Sequence, residues 1–158
     1  MPSVYLETTI ISYLAAWPSH DVIVAGHQQT THDWWNNERG GFDLYVSELV
    51  LREISAGDPV AAQQRLALVT GIAPLALTPV ALALAKELVT QGAIPAVAAQ
   101  DAFHLAIAAV NAIDYLLTWN CRHLANASMR TKIACVCVAA GFASPIICTP
   151  EELSQPTP

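Results

Sequence analysis

The feature of this sequence that most constrains its fold is a series of short apolar runs separated by longer helical segments. Two of these runs, residues 4–7 and 115–118, are aliphatic and aromatic without alternating polar residues, which is typical of strands buried on both faces of a parallel sheet. Residues 43–47 and 145–149 are the other predicted strands. Helices are predicted over residues 21–39, 48–56, 59–69, 79–91, 99–112 and 126–140. This order predicts an α/β fold, a three-layer α/β/α sandwich with a mostly parallel central sheet.

The length of the chain, 158 residues, predicts a single domain over residues 1–153 and a disordered tail at residues 154–158. Hydrophobic residues make up 54% of the sequence, so a membrane span has to be considered. The best candidate, residues 102–113, is too short and contains His104 and Asn111. No basic, apolar leader segment is evident at the start. We therefore expect a cytoplasmic protein without a membrane span, and the high apolar content favours a homodimer.

The net charge and the cysteine spacing argue against several kinds of binding site. A net charge of −6, with only seven lysine and arginine residues, counts against binding of nucleic acid through an extensive basic face. The four cysteines form no CxxC pair, so we expect neither a zinc site nor a disulfide framework.

Oxygen-bearing side chains recur where the predicted strands end. Glu7 ends the first strand, and Asn120 follows the strand at residues 115–118. Glu53 lies among apolar residues in the helix after the second strand, whereas Glu48 lies on another face of that helix. Asp101 lies in the first turn of a nearly all-apolar helix, where the helix dipole favours a carboxylate. Because ligands of open parallel sheets bind beyond the carboxyl ends of the strands, we expect Glu7, Glu53, Asp101 and Asn120 to form one site.

The donor atoms of this set indicate which ion it would suit. Carboxylate and amide oxygens without a matching set of cysteines or histidines favour Mg²⁺ or Mn²⁺ over zinc. Such ions at acidic sites usually serve phosphate chemistry. His104, three residues after Asp101, is expected to orient a neighbour through a hydrogen bond rather than to bind metal. Another acidic α/β enzyme, such as a phosphatase or nucleotide hydrolase, is a weaker alternative because no phosphate-binding glycine loop and no nucleophile elbow is present.

A resemblance to a known family covers about residues 3–149, and four segments carry it. They are VYLETTIISYL, VSELVLREI, QDAFHLAIAA and YLLTWNCRHL. They resemble the four blocks of the PIN domain, a fold found in many ribonucleases, including the VapC-type toxins of bacterial toxin–antitoxin pairs. PIN domains are α/β/α sandwiches with a parallel sheet, which is the fold predicted from the pattern of strands and helices.

The resemblance implies a metal-dependent endoribonuclease that cleaves RNA with one or two Mg²⁺ or Mn²⁺ ions. Carried over by position, the catalytic residues would be Glu7, Glu53, Asp101, Asn120 and Thr118, and the first three would be the metal ligands. RNA would be the substrate, and an antitoxin protein would be a possible partner.

Two residues depart from the family pattern. Glu7 stands where the family usually has aspartate, so one extra methylene moves the carboxylate. Asn120 stands where an aspartate is usual, which removes a charge that would help to hold a second ion. These differences leave open the alternative of a catalytically weak or inactive PIN-fold module that binds nucleic acid or a protein partner.

RNA binding would draw on positive charge or aromatic rings. Arg122, Arg130 and Lys132 lie close together in sequence with no acidic residue between them, and they could guide RNA to the site or simply form a solvated face. Four tryptophans could stack on bases, although packing in the core is their commoner fate: Trp17, Trp34, Trp35 and Trp119.

Overall fold

The sheet has five parallel strands in the order β3-β2-β1-β4-β5. The structure is a computed structural model that describes residues 1–155. The last part of the predicted tail, residues 156–158, lies outside the described residues. The strands are β1 (Ser3–Leu6), β2 (Asp43–Ser47), β3 (Ala73–Leu75), β4 (Tyr115–Leu117) and β5 (Ile146–Cys148).

Seven α-helices connect these strands within residues 1–155. They are α1 (Thr8–Ala15), α2 (Val22–Asn37), α3 (Glu48–Ile54), α4 (Pro59–Leu68), α5 (Pro79–Thr90), α6 (Ala99–Val110) and α7 (Ala127–Ala139). Short 3₁₀ turns precede β2 and α6, at Arg39–Gly41 and Ala96–Ala98. In the described part of the chain, no helix is both long enough and apolar enough to cross a membrane.

The helix boundaries follow local signals in the sequence. Ser47 caps α3 by accepting a hydrogen bond from the backbone of Val50. Proline occupies the first turn of α4 and α5, where its missing N–H costs no hydrogen bond. Gly92 and Gly141 follow α5 and α7 with φ values of 72° and 91°, a left-handed conformation that favours glycine at a helix end.

The helices form two groups that cover the two faces of the sheet. Helices α1 to α4 contact one another, and α5 contacts α6 and α7. The chain moves from β1 through β2 to β3 with the first group, and crosses back to β4 and β5 with the second. Since such crossovers are right-handed, connections that run in opposite directions lie on opposite faces. The predicted three-layer α/β/α sandwich is therefore confirmed.

The middle of the sheet is the centre of the core. Val4, Tyr5 and Leu6 of β1 are fully buried, as are Leu116 and Leu117 of β4, which confirms the prediction that these two strands are buried. Beyond β1 the chain runs to β2 on one side and, later, to β4 on the other. The direction of winding thus reverses between β1 and β4, and in parallel sheets a ligand crevice opens at the carboxyl ends of such strands.

One strand was not predicted. Strand β3 consists of three residues at the edge of the sheet, and its first two, Ala73 and Pro74, are exposed. Proline is tolerated in an edge strand because one side of that strand donates no hydrogen bonds to a neighbour. The segment lacks the buried apolar run that marks the other strands, so the sequence pattern does not reveal it.

Candidate active site

The carboxyl ends of β1 and β4 are joined by hydrogen bonds, so the segments that follow them lie side by side. The backbone N–H of Glu7 donates to the carbonyl of Leu117 over 3.1 Å. The backbone N–H of Trp119 donates to Thr9 Oγ1 over 2.9 Å. Glu7 and Asn120, which the sequence placed after two different strands, therefore belong to neighbouring segments of the crevice.

Glu7 is a buried carboxylate at the start of α1. Only 3% of its surface is exposed, and its Oε2 accepts the backbone N–H of Thr9, which makes it the cap of that helix. Burial raises the pKa of Glu7, against the opposing effects of His104 and of the hydrogen bonds from Thr9, and the negative charge of Glu53 raises it further. Within residues 1–155 no lysine, arginine or histidine nitrogen lies within 4.0 Å of this carboxylate. A bound cation would therefore stabilise its ionised form.

A chain of four hydrogen-bonded side chains crosses the site beside Glu7. His104 of α6 is buried, and its Nε2 lies 2.5 Å from Oε1 of Glu53 on α3. Its Nδ1 lies 2.6 Å from the hydroxyl of Tyr5, which in turn lies 2.7 Å from Ser47 Oγ. Burial raises the pKa of the Tyr5 hydroxyl, so this group stays neutral. The chain of side chains ties α3, α6 and the ends of β1 and β2 together.

His104 was expected to orient a neighbouring side chain through a hydrogen bond, and its bond to Glu53 agrees with that role. The carboxylate that it contacts, however, differs from the expected one. The imidazole hydrogen-bonds to Glu53, whereas the sequence suggested its near neighbour Asp101. Glu48, the other glutamate of α3, accepts the backbone N–H of Leu77 over 2.7 Å and so faces the start of the loop after β3. Of the two glutamates of this helix, Glu53 is the one in contact with α6.

Asp101 lies in the first turn of α6, and its contact with an imidazole was missed in the sequence. Its Oδ2 is 3.4 Å from Nδ1 of His123, in the loop after β4. Burial raises the pKa of Asp101, against the opposing effects of the Asn120 amide and of the imidazoles of His104 and His123. Asn120 Oδ1 accepts the backbone N–H of His123, three residues on, over 3.0 Å, and this bond folds the loop back on itself. The spacing of Asn120 and His123, three residues apart in the sequence, was the signal that could have indicated this contact.

The two threonines at the strand ends have different surroundings. Thr118 is buried, and its Oγ1 accepts the backbone N–H of Asn120 over 2.9 Å, which fixes the start of the loop. Thr8 follows Glu7, and its buried hydroxyl has no hydrogen-bond partner in the described part of the chain.

The donor chemistry of these residues fits a divalent ion. Hard oxygen donors such as those of Glu7 and Asp101 are the ones that Mg²⁺ and Mn²⁺ prefer, and both carboxyls have raised pKa values that a cation would reverse. Among residues 1–155, however, no three histidine, cysteine or acidic side chains are grouped so that they could hold an ion.

The predicted nucleic-acid-binding residues have three different environments. Arg122 is exposed in the loop after β4. Arg130 Nη2 lies 3.3 Å from Oε1 of Glu152, so its charge is partly balanced. Lys132 is exposed on α7, where it lines a groove with Glu87 of α5. That these three residues guide RNA stays a prediction.

Comparisons with known proteins support the fold. No protein-family model matches the chain, and no curated protein sequence matches it significantly. Two solved structures are similar. One is the Mycobacterium tuberculosis toxin VapC20, described as cleaving the sarcin-ricin loop, with a TM-score of 0.60 and 16% identity over 89% of this chain and 97% of that one. The other is VapBC2 from Rickettsia felis bound to a promoter DNA fragment, with a TM-score of 0.59 and 14% identity over 92% and 97% of the two chains. With the sheet order described above, these likenesses show that the chain has the fold of the PIN-domain VapC toxins.

Proposed function

We propose that this protein is a toxin-type, metal-dependent endoribonuclease that cleaves RNA phosphodiester bonds. The observation that carries the proposal is the position of the carboxylates. Glu7, Glu53 and Asp101 come from three separate elements and lie around His104 at the crevice where the winding of the sheet reverses. The similar VapC20 is described as a toxin that cleaves an RNA loop, which supports RNA as the substrate here.

In this proposal Glu7 and Asp101 hold Mg²⁺ or Mn²⁺, with Glu53 as the third carboxylate. The ion would activate a water molecule and balance negative charge on the phosphate, and either one or two ions would serve this purpose. Capping of α1 fixes the Glu7 carboxylate, and the hydrogen bond to His104 fixes one oxygen of Glu53.

Two further residues shape the site in this proposal. Thr118 holds the backbone of Asn120. The Asn120 side chain lies near Asp101 and favours its ionised form. Together they keep the Asp101 carboxylate available as an acceptor.

RNA would approach across the loop after β4 and the exposed side of α7. Arg122 and Lys132 are the exposed cations there, whereas Arg130 is engaged by Glu152. Replacing either Arg122 or Lys132 with alanine should weaken RNA binding similarly for all sequences and lower the salt dependence of binding by about one unit of slope.

The proposal includes an antitoxin protein as partner, a homodimer as the assembly and the cytoplasm as the compartment. The similar Rickettsia felis structure is of VapBC2, which supports an antitoxin partner. Trp17, Val22 and Ile23 are exposed apolar side chains that a partner could cover, in the way that an amphipathic helix fills a groove. Light scattering at several concentrations tests the dimer, since a strict monomer would contradict it.

A second candidate is a PIN-fold module that binds nucleic acid or a protein without cleaving RNA. One structural observation favours it: within residues 1–155, no three histidine, cysteine or acidic side chains are grouped so that they could hold an ion. An asparagine in place of the fourth acidic residue favours it as well.

Cleavage of structured and single-stranded RNA by the purified protein separates the two candidates. The enzyme hypothesis predicts cleavage with Mg²⁺ or Mn²⁺ and none with EDTA. If RNA binds equally well with and without metal, and remains intact with every ion tried, the non-catalytic module is the better account.

A further inference from the structure

Three aromatic rings are stacked immediately beside the candidate site. The imidazole of His27, on α2, lies parallel to the indole of Trp119, with 4.1 Å between ring centroids and 11° between ring planes. Tyr13, on α1, also stacks with Trp119, at 6.3 Å and 23°. The stack therefore joins two helices to the segment that follows β4.

Trp119 is the fixed member of this stack. It is 8% exposed, its Nε1 donates to Thr31 Oγ1 over 2.7 Å, and its backbone N–H donates to Thr9. Both polar groups of the residue are thus satisfied, and the plane of the indole is held in one orientation. A ring that stacks on Trp119 is therefore held in a fixed orientation. Binding of a ligand to that ring would cost little additional side-chain entropy.

His27 is a half-buried member of the stack, as is Tyr13, whereas Trp119 is buried. Trp119 covers one face of the His27 imidazole, and the opposite face is turned away from Trp119. Within residues 1–155 no hydrogen bond engages either imidazole nitrogen of His27. The ring offers a flat surface for stacking and two nitrogen atoms for hydrogen bonding.

The stack is connected to the acidic residues both along the chain and through hydrogen bonds. Trp119 directly precedes Asn120, whose amide lies near Asp101. Thr9, which accepts the backbone N–H of Trp119, donates its own backbone N–H to Glu7. The rings and the acidic residues therefore belong to adjoining segments at the carboxyl ends of β1 and β4.

We propose that the His27–Trp119 stack is a nucleobase-binding subsite, in which one unpaired base of single-stranded RNA stacks on the face of His27 that is turned away from Trp119. This inference rests on the proposed function and deepens it by assigning the part of the substrate that lies beside the scissile phosphate. Stacking tolerates every base because each base has a π-face, and the imidazole edge adds a hydrogen bond to bases that offer a matching group.

The test is binding of a short single-stranded RNA that contains 2-aminopurine, measured in EDTA so that no metal-dependent cleavage interferes. Stacking quenches the fluorescence of this base, and anisotropy of an end-labelled copy gives the affinity. The change His27→Ala should weaken binding about 5- to 100-fold, the range found for the loss of one base–aromatic stack, and should reduce the quenching. His27→Phe, which keeps a stacking ring, should restore most of the affinity.

His32→Ala is the matched control, because His32 lies on the same helix and has no aromatic contact among the described residues. It should leave both affinity and quenching unchanged. A copy of the RNA with an abasic position should bind wild type and His27→Ala equally, since the two losses then concern the same contact.

The outcomes separate this subsite from the proposed function. Equal affinity and quenching for wild type and His27→Ala would overturn the subsite, even if the wild type cleaves RNA with metal. Binding and quenching that depend on His27, in a protein that never cleaves RNA, would support the subsite and overturn the nuclease. A wild type that binds no RNA in EDTA would overturn the subsite, whereas the nuclease would be overturned only by a wild type that cleaves no RNA with Mg²⁺ or Mn²⁺.

Discussion

His104 Nε2 and Glu53 Oε1 lie 2.5 Å apart, and this contact joins α3 and α6 through two residues that are 51 positions apart in sequence. It continues through Tyr5 to Ser47, the cap of α3, which is the helix that carries Glu53. Both the start of that helix and the tip of one of its side chains are thus fixed by one buried chain of hydrogen bonds. His104 is a positioning residue in this account, since it acts on Glu53 rather than on RNA.

Replacing His104 with alanine should lower RNA cleavage about 10- to 100-fold, the usual effect of removing a hydrogen bond that orients a metal-binding carboxylate. The cause is loss of the fixed Glu53 orientation, so kcat should fall more than KM rises. Rates are corrected for the folded fraction, measured by circular dichroism. A fully folded variant that cleaves RNA at the wild-type rate would show that Glu53 needs no such support.

Glu53→Gln and Glu48→Gln form a matched pair on α3. The first change removes the charge beside His104 and should lower cleavage about 100-fold or more, as for the loss of one electrostatic contribution at an active site. The second leaves an oxygen that can still accept the backbone N–H of Leu77 and should leave cleavage unchanged. Steady-state kinetics on one RNA measure both, and equal losses in the two variants would contradict the assignment of Glu53.

Glu7→Gln should stabilise the protein at neutral pH when EDTA is present. Burial raises the pKa of Glu7 above its ordinary value of 4.5, so between 4.5 and the raised pKa the folded state binds more protons than the unfolded state, and above it the buried charge is a cost to the folded state. Stability of the wild type therefore falls as pH rises through the raised pKa, and it is higher towards and below 4.5. Thermal unfolding across this range should show a higher Tm for the variant near neutral pH and a vanishing difference in acid.

Asp114→Asn is the control with the opposite sign. Asp114 lies at the amino end of β4, and hydrogen bonds from the backbone and hydroxyl of Ser3 lower its pKa below 3.8. This contribution to stability is present above pH 3.8 and is lost as pH falls through the lowered pKa. The asparagine variant should be less stable than the wild type at neutral pH and equal to it in strong acid. If Glu7→Gln followed this same pattern, the burial argument would be wrong.

Thr31→Val should destabilise the fold by about 1–3 kcal/mol, because it leaves the buried indole N–H of Trp119 without an acceptor. Thr30→Val is the comparison, since the Thr30 hydroxyl is not fully buried and donates only to the carbonyl of Gly26 in the same helix. Urea unfolding of both variants gives the free energies. Equal values for the two threonines would mean that the Trp119 contact adds no stability.

The sequence was informative where the signal was local. The buried runs of β1 and β4 and the Ser47 cap could be assigned from neighbouring residues alone. The rule that sites lie at the carboxyl ends of parallel strands then placed Glu7 and Asn120 in adjacent segments.

The side-chain contacts within the site could not be predicted from the sequence, because they join residues that are far apart along the chain. The contact of Glu53 with His104 requires α3 and α6 to approach each other, and no local sequence pattern indicates that approach. The same holds for His27 and Trp119, which come together only because α2 packs beside the end of β4. Strand β3 was not predicted because Ala73 and Pro74 are exposed and lack the apolar pattern of a strand.

The most direct test of the central claim is a titration of the protein with Mn²⁺, followed by electron paramagnetic resonance, on wild type, Asp101→Asn and Asp114→Asn, with RNA cleavage measured on the same samples. If the strand-end carboxylates hold the ion, the wild type and Asp114→Asn should bind Mn²⁺ and cleave RNA, and Asp101→Asn should lose both together. If Asp101→Asn binds Mn²⁺ and cleaves RNA as the wild type does, these carboxylates are not the site of the chemistry.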